Sequence, residues 1–454
     1  MTTNSQDLLQ PEKRPARVYF RFIFFSLIGV FFFFVPINMT VKGVVYNSIP
    51  IDHLITLLKV FTPWVGPLAA LLFVLFGGVT AWTSKSYKKS KLMFVIAIFR
   101  TLGIPLAIMA YLNIYGINFG PAWLLDPGML PAVFKNVTIS TSYVVPMGAI
   151  FLAFILDYGL LEFIGVLVKP IMRPLFRVPG KSAVDAVASF VGSFSVAMLL
   201  TNRLYLDSKY TYRETAVIMT SFSTVSATFM IVVAKTAGFM DIWNFYFWTT
   251  LVITFLVTAI TVRIPPFSKM PDTYLDGVGK VEVRRKEMPI FKQALTEGLE
   301  AADHTRPLLP NLWENLKGGI RMLMVLAPTG CSIGTLAFLL VKKTPVFDYV
   351  GYIFYPFTWL LSLFGLPDPM TIAKISSVAL AEMFVPNTLV VAADPAVRFV
   401  IAVVSVAEII FFAGYIPCFY ATDLKVSFGK LMAIWFERTA LAILLAGIVA
   451  ILYF

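Results

Sequence analysis

Glu382, in ALAEMFVPN (residues 379–387), and Glu408, in VVSVAEIIFF (residues 403–412), are carboxylates set inside apolar runs. An ionised carboxylate at the centre of a bilayer costs roughly 2.5–3.5 kcal/mol on insertion scales, so each must face a partner or a polar cavity. As functional groups they suit the binding of a polar solute or of a coupling cation, H+ or Na+, or the carrying of a proton. The structural alternative is a salt bridge, for example with Lys374 or Arg398.

A second chemistry comes from hydroxyls. In TSFSTVS, residues 220–226, five of seven side chains are Ser or Thr. Such a run offers hydrogen bonds to a polar solute and permits local unwinding, because short hydroxyl side chains compete for backbone partners. Ser221, Ser223 and Thr224 are the candidates there, and close helix packing through small residues is the alternative. Ser193 and Ser195, beside Gly192, are read as the tip or break of one polar apolar-flanked piece, and Pro386 with Asn387 as that of another. Asn387 both donates and accepts. Ser405, in the Glu408 run, completes the set.

Other chemistries find no support. The two cysteines, Cys331 and Cys418, lie in separate apolar runs, and the two histidines are His53 and His304, so neither a disulfide framework nor a His/Cys metal site is expected. Gly180, Lys181 and Ser182 imitate the end of a phosphate-binding loop, but its leading glycine falls at Leu175. Ser193 lacks a mid-membrane histidine to activate it. No enzyme and no resident cofactor are expected.

The elements carrying these residues belong to lipid. Of 454 residues 58% are hydrophobic and only 14% charged, which excludes an ordinary soluble domain. Period-2 alternation is absent, so the apolar runs are helices and the fold is an all-α polytopic membrane protein. About nine spans are expected, over 18–38, 54–82, 92–116, 138–161, 213–237, 241–263, 318–341, 395–417 and 430–453. Two further pieces, 183–202 and 371–391, carry Gly, Ser, Asp, Lys, Glu, Pro and Asn in their middles and read as re-entrant hairpins. The formal charge of +12 sits in Lys and Arg at the ends of apolar runs, which is topology information and not a nucleic-acid stripe. The N-terminus is polar and lacks a small-residue cleavage site after a short apolar stretch, so no cleaved signal peptide is expected.

Orientation follows from the basic loops. Lys13, Arg14, Arg17 and Arg21 precede the first span, and Lys85, Lys88, Lys89 and Lys91 follow the second, so both flanks are expected in the cytoplasm. The basic clusters at Lys169–Lys181 and Arg203–Arg213 then place 183–202 as a hairpin entered from the cytoplasm, and 371–391 as one entered from outside. The N-terminus is expected in the cytoplasm and the C-terminus outside, in a bacterial inner membrane. The polar stretch 264–317 is long enough for an interfacial helix or a tether, with no fold of its own.

The halves repeat. In the segments starting at Ile164 and Val350, Gly165 matches Gly351 and Pro170 matches Pro356; with a two-residue shift Pro179 matches Pro367 and Ser189 matches Ser377. One copy begins outside and the other inside, which makes the repeat inverted. The division is a tail (1–17), a three-helix scaffold (18–137), a first repeat (138–263), a linker (264–317) and a second repeat (318–454). Inverted repeats with broken elements point to alternating access around a midplane site.

The stretch GKSAVDAVASFVGSFSVAMLLTNRLYLDSKYTYRETAVIMTSFSTVS (residues 180–226), with ALAEMFVPN, resembles the bacterial nucleoside-recognition or Gate domain membrane proteins of the YjiH-like group. The order of elements is also similar to the concentrative nucleoside transporters. The resemblance implies a scaffold plus a transport domain in which hairpins 183–202 and 371–391 and partly unwound helices 213–237 and 395–417 cradle the substrate. That family's acidic and Asn-rich binding motifs have no residue-by-residue match here. The expected function is a secondary active transporter of a small polar solute, nucleoside- or nucleobase-like first, coupled to H+ or Na+. The partners expected are that solute, the lipid bilayer, and either a second copy of the chain or a partner membrane protein. The rivals are a non-transporting gate subunit of a membrane complex and an ion or metal channel.

Overall fold

The computed structural model describes residues 14–41, 44–89, 91–180, 182–183, 186, 194–222, 227–275, 277, 289–420 and 422–454. The first span, α1 (Ala16–Phe34), is followed by a short antiparallel pair, β1 (Ile37–Val41) and β2 (Val44–Ser48), registered from Ile37 opposite Ser48 to Val41 opposite Val44. This hairpin was not anticipated. The run expected at 54–82 divides in two, α2 (Pro50–Phe61) and the apolar span α3 (Val65–Thr83). Pro63 is the reason: the residue before a proline is pushed out of the helical region, and Thr62 has φ −131° and ψ 58°.

Next come α4 (Lys91–Ile114), α5 (Leu130–Val133) and α6 (Ser140–Leu156), the last two joined by a π-helical segment, Phe134–Ile139, so the span expected at 138–161 starts earlier and stops sooner. A sharp turn at Gly159 leads into α7 (Leu160–Ile171). Gly159 has φ +93°, and a Cβ there would fall 2.0 Å from the carbonyl oxygen of Gly298. Both the left-handed backbone and the close crossing require glycine.

The first repeat continues with α8 (Phe194–Leu206), α9 (Tyr212–Phe222), α10 (Ala227–Ala237) and α11 (Trp243–Thr261). Within the polar stretch lies α12 (Ile290–His304), which packs on α7 and α1. Its Leu299 and Ala302 are buried with Val18 and Phe22, and Arg14 pairs with Asp303 at 3.3 Å. The stretch therefore contributes an amphipathic helix to the body of the protein, because its apolar residues recur on one helical face. The following span, α13 (Leu308–Lys343), begins ten residues before the expected 318.

The second repeat holds α14 (Val346–Gly351), α15 (Tyr355–Ser362), α16 (Pro369–Val378), α17 (Val385–Leu389), α18 (Pro395–Ala407), α19 (Tyr415–Tyr420) and α20 (Phe428–Tyr453). The order here is a long span (α13), a short arm, a polar piece, a span in two parts, then a long span; in the first half most of the expected hairpin 183–202 and the residues between α9 and α10 lie outside the described residues. Among the described residues seven helical spans are long and apolar enough to cross a membrane: α1, α3, α4, α5–α6, α11, α13 and α20. The expected span 395–417 is made of two helices, α18 and α19, while α9 and α10 lie on either side of residues 223–226, which fall outside the described residues. The chain is a polytopic all-α membrane protein.

The first two long spans after the hairpin, α3 and α4, pack on α13. Arg100 of α4 is buried among them, and its Nη2 donates to the carbonyls of Gly77 (2.5 Å) and Met324 (3.0 Å) and to Thr80 Oγ1 (3.0 Å). The larger core joins α10, α11, α18 and α20, and it is here that the two broken segments of the second repeat meet.

Candidate functional site

The helix α18 stops in the middle of an apolar run. Apolar composition alone would carry it on, but Ile409 has φ +65°, a left-handed conformation that is costly for a β-branched residue and is kept only when its surroundings demand it. The amide of Ile410 turns back to the carbonyl of Glu408 (2.7 Å), and the helix resumes only at Tyr415. Between them, the amides of Phe412 and Ala413 donate to the carbonyls of Leu380 (2.8 Å) and Ala381 (3.1 Å).

Those two carbonyls belong to the break between α16 and α17. This break spans residues 379–384, so Pro386 and Asn387 lie in the first turn of α17 and not at the break, as expected from their types. The correction has a simple cause, since proline is suited to a first helical turn, where its missing N–H is not needed. Glu382 sits in the break. Its Oε2 accepts from the amides of Phe384 and Val385, both at 2.8 Å, which are the donors a helix start leaves open. Each broken segment thus satisfies the other's backbone, as irregular chain in lipid requires.

Glu408 is fully buried. Its Oε2 accepts from Trp435 Nε1 (3.1 Å) and Thr439 Oγ1 (3.5 Å) of α20. Between those two lies Arg438, also fully buried, whose Nε and Nη2 donate to the Ala407 carbonyl (3.0 and 2.8 Å) and whose Nη1 donates to Thr258 Oγ1 (3.1 Å). Arg438 was missed in the sequence. The signal was present, because an arginine amid IWFERTALAILL is a charge inside a spanning helix. The basic partners expected for the two glutamates are engaged elsewhere: Lys374 pairs with Asp348 (2.6 Å), and Arg398 donates to the Ala237 carbonyl (2.7 Å).

Asn387 Nδ2 donates to Ser405 Oγ (3.1 Å), one turn before Glu408 on α18. Ser221, near the end of α9, joins through its carbonyl, which accepts from Thr258 Oγ1 (3.3 Å). Glu382, Asn387, Ser405 and Glu408 therefore share one region, and Ser221 is tied to it by way of Thr258 and Arg438. Ser195 belongs to α8, and its side chain lies outside the described part; Ser193, Ser223 and Thr224 lie outside the described residues altogether.

Among the described residues, four buried polar atoms of these elements have no hydrogen-bond partner: Glu408 Oε1, Asn387 Oδ1, Ser221 Oγ and Ser376 Oγ of α16. A buried polar atom left unpaired costs about 1–3 kcal/mol. Two of the four, a carboxylate oxygen and an amide oxygen, can only accept, so what they lack is a donor or a cation.

Residues 139–240 match the family described as nucleoside recognition, Gate. The matched stretch runs from α6 to the end of α10 and includes Ser221. An uncharacterized protein of Alkalihalophilus pseudofirmus is 29% identical over 445 residues, covering 96% of this chain and 94% of that one. Among solved structures, CNTnw in an inward-facing substrate-bound state is similar with a TM-score of 0.43 and 10% identity, covering 95% of this chain and 98% of that one. The YdaH transporter of Alcanivorax borkumensis follows at a TM-score of 0.20 and 13% identity, covering 96% and 97%.

Proposed function

We propose that this protein is a secondary active transporter that carries a small, polar, donor-rich solute across a bacterial inner membrane by alternating access, coupled to H+ or Na+. The observation that carries the reading is the meeting of the two broken segments, with Glu382 and Glu408 beside them and unpaired acceptors at Glu408 Oε1 and Asn387 Oδ1. A scaffold needs no such arrangement. Broken backbone at membrane depth is tolerated where it lines a site, and discontinuous helices are how transporters present polar groups at the midplane.

The acceptors favour a solute with several hydroxyl or amino donors over an anion. Nucleosides and nucleobases have that character, and the Gate match supports placing them first. The basic residues that flank the start of α1 and the end of α3, Arg14, Arg17, Arg21, Lys85 and Lys88, are assigned to the cytoplasm. The second repeat, inverted, then opens its break from the outside.

The test is uptake into proteoliposomes of labelled uridine, adenosine and hypoxanthine under an imposed Na+ or H+ gradient. Concentrative uptake that collapses with the gradient supports the reading, and its loss in Glu382→Gln and Glu408→Gln supports the site. Wild-type uptake in both variants would remove the site assignment, and copurification of a stoichiometric partner with no uptake would favour a gate subunit instead.

A further inference from the structure

Where α18 ends, the carbonyl of Ala407 loses the amide that an unbroken helix would offer it four residues on. Arg438 takes that place from another helix, with two of its nitrogens on the one oxygen. Trp435, Arg438 and Thr439 stand three and four residues apart on α20 and so share one face, the face packed on α18. Two of them hold the Glu408 carboxylate and the third holds the carbonyl just before it. The third donor of the guanidinium reaches Thr258 of α11, whose hydroxyl is also bonded to the Ser221 carbonyl. One side chain thus ties α18 and α20 to α11 and, through Thr258, to α9.

We propose that Arg438 is a positioning residue of the carboxylate site: it fixes the break that presents Glu408 and supplies the positive charge that lets an ionised Glu408 stay buried. The proposal rests on the transporter reading only in treating Glu408 as a site residue. A planar fork is required for the first task, because three bonds in fixed directions suit a guanidinium and not an ammonium. Charge alone suffices for the second, since Arg438 stands on α20 between Trp435 and Thr439, the two donors to the Glu408 carboxylate, with Glu382 and Tyr415 the other titratable groups that face the pair. The guanidinium bonds go to the Ala407 carbonyl and Thr258 and not to the carboxylate itself, so any compensation of the buried Glu408 by Arg438 is charge near charge, and the proposal predicts that the two are coupled.

The experiment is thermal unfolding of the purified full-length protein in lipid nanodiscs, from about pH 5 to about pH 9, for wild type, Arg438→Gln, Glu408→Gln and the double variant. Arg438→Gln is expected to melt lower than wild type and to lose further stability as the pH rises. Adding Glu408→Gln is expected to abolish that extra pH dependence and recover part of the lost melting temperature. Strictly additive losses with an unchanged pH profile would overturn the proposal. Arg438→Lys keeps the charge without the fork, so it is expected to retain the wild-type pH profile at a lower melting temperature. It also serves if Arg438→Gln cannot be purified: a wild-type melting temperature in Arg438→Lys, or a new Glu408-dependent pH slope, would overturn the division of roles. None of these measurements depends on uptake, so a failure of the transporter reading is seen separately.

Discussion

The amide of Phe412 donates to the carbonyl of Leu380 at 2.8 Å, and this bond joins two interruptions that lie 32 positions apart in the chain. Beside it, Ala413 does the same to Ala381 at 3.1 Å. The two turn segments are held together by these two backbone bonds, so moving one break away from the other leaves the carbonyls of Leu380 and Ala381 without their donors. Ala413→Pro deletes one donor and strands the Ala381 carbonyl. It is expected to lower unfolding stability by about 1–3 kcal/mol, read by thermal unfolding, and to reduce solute uptake at the same time.

Glu382 separates stability from function differently. A glutamine retains an oxygen for the amides of Phe384 and Val385 but not the charge. Glu382→Gln is therefore expected to purify and melt within a few degrees of wild type, while losing the charge-assisted part of those bonds and of any bound cation. Ion-driven uptake is expected to fall by about 10-fold or more, the equivalent of one charge-assisted interaction of about 1.5–3 kcal/mol. Unchanged uptake would remove Glu382 from the coupling role.

The layout of the spans was legible because lipid imposes one rule on every segment: each long apolar run must be a helix. The same averaging concealed Arg438, which the apolar residues around it outweigh, although a charge at that depth is more informative than its neighbours. The break at Ile409 has no glycine or proline to announce it, since its cause is tertiary: α18 ends where Arg438 and the 379–384 segment supply better partners. Residue type also misled at Pro386, which starts a helix instead of breaking one. For the polar stretch an interfacial helix was one of two forms left open, and α12 is that helix; its packing on α1 through Leu299 and Ala302 was not legible, because those residues count only when read at helical spacing against α1.

Asn387 tests whether the unpaired acceptors are kept for a ligand. Its Oδ1 is buried without a partner, and Nδ2 reaches Ser405 at 3.1 Å. Asn387→Leu removes a stranded acceptor along with two hydrogen bonds, to Ser405 Oγ and to the Met383 carbonyl (3.4 Å); Ser405 keeps its donation to the Ala402 carbonyl, so the relieved acceptor offsets much of what is lost. Melting is expected to stay near the wild-type value while the apparent affinity for the solute falls by about 10-fold, measured by uptake at varied solute concentration. A large loss of stability with unaltered affinity would make Asn387 a packing residue.

Lys59 offers a pH test outside the spans. It lies on α2, where its ammonium is 3.5 Å from Ser140 Oγ and 5.7 Å from the centroid of the Tyr143 ring. Nearby, Lys235 of α10 pairs with Asp52, which also accepts from Ser48 Oγ at 3.1 Å. Burial above all, then the charge of Lys235, lowers the Lys59 pKa from 10.5 to about 8, with Asp52 acting in the opposite direction. Between those two values the unfolded chain holds more protons than the folded one, so this group makes stability rise with pH across that window; below it the full cost of the buried ammonium is present. Lys59→Met removes the cost and is expected to stabilise the protein at neutral pH by about 1–3 kcal/mol and to flatten the rise on the alkaline side. Asp52→Asn leaves Lys59 and Lys235 facing each other without the acid and is expected to destabilise it. Thermal unfolding across pH reads both, and an alkaline rise that persists in Lys59→Met would assign it to another group.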